Sequence, residues 1–106
     1  MIGFEILIQI EPEKRKEFLQ AFNWFSRPEK KPKDCLGHRL FEDVIQTDHY
    51  IWIEGWTDLK TLGNYMKTER FQSFLGALEV LGSLEEMRFA NFNPMRAGNG
   101  SVEIQT

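Results

Sequence analysis

Residues 49–71 read HYIWIEGWTDLKTLGNYMKTERF, and the fold turns on them. The first eight alternate. Tyr50, Trp52, Glu54 and Trp56 fall on one face of a strand and His49, Ile51, Ile53 and Gly55 on the other, because successive side chains of an extended chain point to opposite sides. At Thr57-Asp58 the period changes. Asp58 suits the N-cap of a segment with Leu59, Leu62 and Met66 on one side. Thr68 caps a second segment, in which Phe71, Phe74, Leu75, Leu78 and Leu81 keep helical spacing until Gly82 ends it.

Upstream of this stretch, Ile2–Ile10 also alternates, with Phe4, Ile6, Ile8 and Ile10 on one face. Pro12 follows at a first helical turn, where its missing N–H costs nothing, and Phe18, Phe22 and Phe25 form the apolar stripe of a helix that Pro28 stops. A lysine- and proline-rich connection, residues 27–34, leads to a strand opening at Cys35-Leu36, with Leu36, His38, Leu40 and Glu42 on one face and Gly37, Arg39 and Phe41 on the other. The polar Gln46-Thr47-Asp48 predicts a hairpin into the strand already described. Downstream, a strand over residues 84–92 sets Met87, Phe89 and Asn91 opposite Arg88, Ala90 and Phe92.

The order is therefore β-α-β-β-α-β, an α+β chain of ferredoxin-like arrangement with a four-stranded antiparallel sheet and both helical regions on one face. At 106 residues the chain suits one domain, expected over residues 1–92. Residues 93–106, rich in Gly, Asn and Ser, are expected to form a loose tail whose residues 102–105 can add a short strand to a partner.

A net charge of −3 excludes a dedicated nucleic-acid backbone partner, and the one basic run, residues 27–33, is broken by Glu29 and two prolines. The single cysteine, Cys35, reads as a core thiol at a strand start with no histidine at an activating spacing, and no Cys/His zinc spacing is present. The apolar run at the amino end lacks a basic leader region and is far too short to span a bilayer, so the expectation is no membrane and a cytoplasmic location.

The predicted helix-side face holds Phe4, Ile6, Ile8, Ile10, Leu36, Leu40, Tyr50, Trp52, Trp56, Met87 and Phe89. The opposite face still offers Leu7, Phe41, Ile51, Ile53 and Phe92, more apolar surface than a small monomer leaves to water, so a homodimer packed sheet against sheet is expected. Three polar residues, His38, Glu54 and Asn91, share parity with the aromatics on the helix side. A buried carboxylate without a partner costs several kcal/mol, roughly, or takes up a proton, which argues for a polar-lined pocket or for a salt-bridged Glu54.

With those pieces in view, the chain resembles the antibiotic biosynthesis monooxygenase-like family of dimeric α/β barrels. The resemblance rests on Glu11-Pro12 before the first helix, Cys35-Leu36-Gly37-His38, Glu54-Gly55-Trp56, and the run Tyr65-Met66-Lys67-Thr68-Glu69-Arg70-Phe71. It implies a homodimer with a pocket between sheet and helices in each protomer, and oxygenation of an aromatic, quinol or anthrone-type small molecule by O2 without cofactor or metal. Under it, Glu54 or His38 is the base, Tyr65 a hydrogen-bond donor, and Trp52, Trp56, Tyr50, Asn91 and Phe71 contact the substrate. Two positions depart: Tyr65 and Arg70 stand where relatives often carry histidine. The haem-degrading members share only Trp56, with Leu75 about where their axial histidine falls, so haem degradation is not expected. The alternative is a non-catalytic small-molecule-binding or assembly dimer on the same scaffold.

Overall fold

In the computed structural model, which describes residues 2–91 and the backbone of residues 97–98 and 101–102, the alternation of the first strand becomes burial. In β1 (Ile2–Ile10), Phe4, Ile6, Ile8 and Ile10 are almost wholly removed from water. Pro12 opens a 3-10 turn that runs into α1 (Arg15–Phe25). Then come β2 (Cys35–Glu42), β3 (His49–Trp56), α2 (Leu59–Met66), α3 (Glu69–Leu81) and β4 (Gly82–Asn91). The sheet order is β2-β3-β1-β4 with every pairing antiparallel, the ferredoxin-like α+β fold. A small separate pairing joins β5 (Ala97–Gly98) to β6 (Ser101–Val102), so Val102 meets Ala97 of its own chain. Phe92 and the rest of the expected tail strand lie outside the described residues.

Both caps read from the sequence form. Asp58 accepts a hydrogen bond from the Thr61 backbone N–H at 2.8 Å, and Thr61 Oγ1 lies 3.4 Å from the Asp58 N–H, closing a capping box. Thr68 Oγ1 accepts from the Phe71 N–H at 3.2 Å and starts α3 one turn later. At the far end of α3, helix passes into strand with no loop. A Cβ on Gly82 would sit 2.0 Å from the Gln9 carbonyl oxygen, so only glycine fits at this crossing.

Two β-bulges separate the structure from strict alternation. Against β3, Cys35 pairs with Trp56 and Gly37 with Gly55, which leaves Leu36 as the extra residue. Leu36 therefore turns outward and is 52% exposed, not under the helices as expected, while Cys35 turns into the core. Against β1, Leu7 pairs with Glu86 and Ile8 with Leu84, so Glu85 is extra and Leu84 joins Met87 on the helix side. Phe89 does pair with the buried Phe4, but at the sheet edge it is left 61% exposed. In α2 the buried pair is Leu62 and Tyr65, and Leu59 in the first turn stays in water. The hairpin loop is also longer than the polar triplet implied: β2 stops at Glu42, and Val44 and Ile45 stand exposed at its tip.

Candidate functional site

Among the described residues, Glu54 is the carboxylate buried in the core, 1% exposed, and the neighbours set by β-structure explain how it stays there. Trp52 and Trp56 are its same-face neighbours along β3. Trp52 donates its indole N–H to Oε2 at 3.1 Å and Trp56 donates to Oε1 at 3.2 Å. His38 is its cross-strand partner in register, with Nε2 3.3 Å from Oε2. Two neutral donors and one cationic donor thus surround the carboxylate, the arrangement that offsets the cost of burying it. The expected salt bridge of Glu54 is made by His38, and the partners found among the described residues all come from the sheet.

The same His38 nitrogen lies 3.9 Å from Cys35 Sγ. Burial alone would push the His38 pKa down, but the Cys35 sulfur and the Glu54 carboxylate outweigh it and lift the value from 6.5 to about 9. This direction favours the imidazolium form of His38 at neutral pH. Cys35 therefore does have a histidine neighbour, which its spacing in the sequence did not lead one to expect. In a regular strand residues 35 and 38 face opposite sides, and the bulge at Leu36 puts both on one side. The signal was available in Gly37, since a glycine inside a strand pattern often marks a bulge.

Tyr65 covers the cluster from α2, its ring 4.5 Å from that of Trp56 and tilted by 30°. Burial, followed by the charge of Glu54, pushes its phenol well above the ordinary range, while Arg70 alongside acts the other way. Phe71 packs on Tyr65 at 5.3 Å. Arg70 lies over the rings of Phe25 and Trp24 at 5.3 and 5.9 Å, and its Nε is buried with no hydrogen-bond partner among the described residues.

The structure thus brings together Glu54, His38, Trp52, Trp56, Tyr65 and Phe71, and adds Cys35. It does not bring Tyr50 or Asn91 to them. Tyr50 is buried at the other end of β3, where its hydroxyl accepts from Arg15 and its ring meets Phe18. Asn91 is exposed, and its partner Ile2 lies on the strand between it and β3. Among the described residues, aromatic rings stand beside Trp52 where a pocket was expected. Trp52 is packed by Phe22 at 4.8 Å and Phe74 at 4.4 Å. A cavity of about 210 Å³ does touch His38 from the outer face, lined by Leu36, Gly37, Arg39, Ile53 and Gly55.

The fold places the chain among small ferredoxin-like α+β proteins. The family model described as antibiotic biosynthesis monooxygenase matches residues 1–77, and the chain belongs to that family. YcnE of Bacillus subtilis, whose naming as a monooxygenase is provisional, is 28% identical over 75 residues, 71% of this chain and 79% of YcnE. An uncharacterized protein of Synechocystis is 24% identical over 68 residues, 64% of this chain, and the match spans only 46% of that relative's length. Among solved structures, an antibiotic biosynthesis monooxygenase superposes with a TM-score of 0.71 at 21% identity, covering 89% of this chain and all of that one. A conserved protein of Methanosarcina mazei gives 0.73 at 18% identity, covering 87% and 92%. At these identities the structures establish the shared fold.

Proposed function

We propose that the protein is a cofactor-independent monooxygenase of a phenolic, quinol or anthrone-type small molecule. The observation that carries this reading is a buried carboxylate, Glu54, paired with a cationic His38 inside an aromatic wall. In this scheme Glu54 accepts the substrate proton and the His38 imidazolium stabilises the resulting oxyanion. The electron-rich anion then reduces O2; for an anthrone, the CH2 carbon becomes a carbonyl and the second oxygen atom leaves as water. Charge is stabilised strongly there because water is excluded. Tyr65 and the unpartnered Arg70 Nε supply donors at the α2–α3 corner, and Trp52, Trp56 and Phe71 supply the apolar contacts. Asn91 and Tyr50 drop out of this site on geometric grounds.

The scheme includes a homodimer in which the outer faces meet. Half-buried Leu7, Ile51 and Ile53, exposed Phe41, and the loop-tip pair Val44 and Ile45 support it. Light scattering across a dilution series tests it, and a monomer mass throughout removes it. A reduced single thiol fits a cytoplasmic setting, and no described helix is long and apolar enough to cross a membrane.

Oxygen uptake with a panel of hydroquinones and anthrones, in the presence of a chelator and without flavin, tests the chemistry. Glu54→Gln should lower the rate by about 10²–10⁴-fold if the carboxylate is the base. A second reading, a non-catalytic dimer on the same scaffold, is favoured by the filled helix-sheet space around Trp52. Ligand binding without oxygen uptake, unchanged in Glu54→Gln and His38→Ala, would select it.

A further inference from the structure

Among the described residues, one group of metal-ligating side chains converges: Cys35, His38 and Glu54, whose donor atoms all lie within 4.8 Å of one another. We propose that these three residues form a zinc-type site, with Cys35 Sγ, His38 Nε2 and Glu54 Oε2 as ligands to a divalent cation of intermediate softness.

Three observations carry it. The first is geometry. Tetrahedral zinc, with nitrogen and oxygen at about 2.0–2.1 Å and sulfur at about 2.3 Å, sets N···O near ~3.3 Å and N···S near ~3.6 Å. The observed separations are 3.3 Å and 3.9 Å, so the nitrogen-oxygen edge is already in place, and the sulfur, within 4.8 Å of the carboxylate oxygen, must move closer to both.

The second is charge. A thiolate, a neutral imidazole and a carboxylate around a dication sum to zero, which suits a cluster whose side chains are nearly excluded from water. The thiolate-imidazole-carboxylate mixture selects zinc-like ions over magnesium or calcium, which take oxygen ligands.

The third is the outer support. The carboxylate that would bind metal is already held by Trp52 and Trp56, the kind of hydrogen bonding that orients a ligating group. Three protein ligands leave one position open. A metal at the site consumes the lone pairs that the oxygenase scheme assigns to Glu54, so the two uses compete. The site shares His38 and Glu54 with that scheme but does not depend on it.

The test uses the whole chain, stripped with a chelator and then loaded with zinc or cobalt, and no readout involves oxygen. One zinc per chain should survive dialysis by elemental analysis. Cobalt should produce an intense near-ultraviolet thiolate-to-metal band in the wild-type protein. The chain has a single cysteine, so that band assigns Cys35 even if a variant fails to fold. Cys35→Ser should abolish the band, His38→Ala should weaken zinc binding at least tenfold, and Trp56→Phe should weaken it by about 10-fold through the lost hydrogen bond. Absence of retained zinc, absence of the cobalt band, or equal retention by folded Cys35→Ser and His38→Ala overturns the proposal.

Discussion

Along β1 and β4 the inward side chains are Phe4, Ile6, Ile8, Ile10, Leu84 and Met87, whereas along β2 and β3 the inward row carries Cys35, His38 and Glu54 among Trp52 and Trp56. Both halves lie under the same helices and are about equally dry. The difference teaches how a small core can hold charge. In the β1–β4 half nothing is directional, and a side chain of similar volume serves nearly as well. In the β2–β3 half each polar atom depends on a named neighbour, so removing one group leaves others unpaired.

The largest effects should come from one deletion in each half. Phe4→Ala, which removes a fully buried ring packed on Phe71, should cost about 3–5 kcal/mol through the cavity it leaves. Glu54→Ala should cost a similar ~3–5 kcal/mol, because it strands the His38 cation beside two unpaired indole N–H groups. The halves separate on conservative changes. Ile6→Val should cost about 0.5–1.5 kcal/mol, while Glu54→Gln, nearly the same shape, should cost more, about 1–3 kcal/mol. Urea midpoints measure all four, and a Glu54→Gln as mild as Ile6→Val would break the comparison.

Next in size is a pH dependence confined to the polar half. His38 holds its proton more tightly when folded, with a pKa of about 9 against 6.5. Its contribution is complete below about pH 6.5, declines as pH rises, and is lost above about pH 9, a change on the order of 3 kcal/mol. His38→Gln should flatten the urea midpoint over that window, and Ile6→Val should leave the slope as it is. A wild-type midpoint that does not fall between those limits would remove the ion pair from the account.

Smaller effects lie at the margins of both halves. Asp58→Ala, which removes the cap that starts α2 beside the cluster, should cost about 1 kcal/mol. Arg88→Ala breaks an exposed pair with Glu5 across β1 and β4 and should cost less than about 1 kcal/mol, an effect that salt erases. Thermal melts at low and high salt distinguish the two.

How legible these features were differs residue by residue. The pairing of Trp52, Glu54 and Trp56 followed from strand parity, and His38 joined them because it pairs with Glu54 across a simple hairpin. The Asp58 and Thr68 caps were legible because capping is local, decided by a side chain and backbone groups two or three residues away. Cys35 was read correctly as a core thiol at a strand start, but its nearness to His38 was missed because one extra residue inverts the parity of everything on its far side, and whether a strand bulges depends on its partner's register. Leu84 illustrates the same point on β4. Phe89 and Leu59 failed differently: their side chains suit a core, but no neighbouring element covers them in this chain.

The sequence by itself determined the element order, the faces of β1 and β3, the helix starts and the buried position of Glu54, all of which follow from period, composition and short-range hydrogen bonding. Only the tertiary structure decided that the partners of Glu54 would be two indoles and an imidazole, that Cys35 would lie beside His38, and that aromatic rings would occupy the space around Trp52. Those outcomes depend on cross-strand register and on which side chains arrive from other elements to fill the same volume, and neither is carried by any single stretch of the chain.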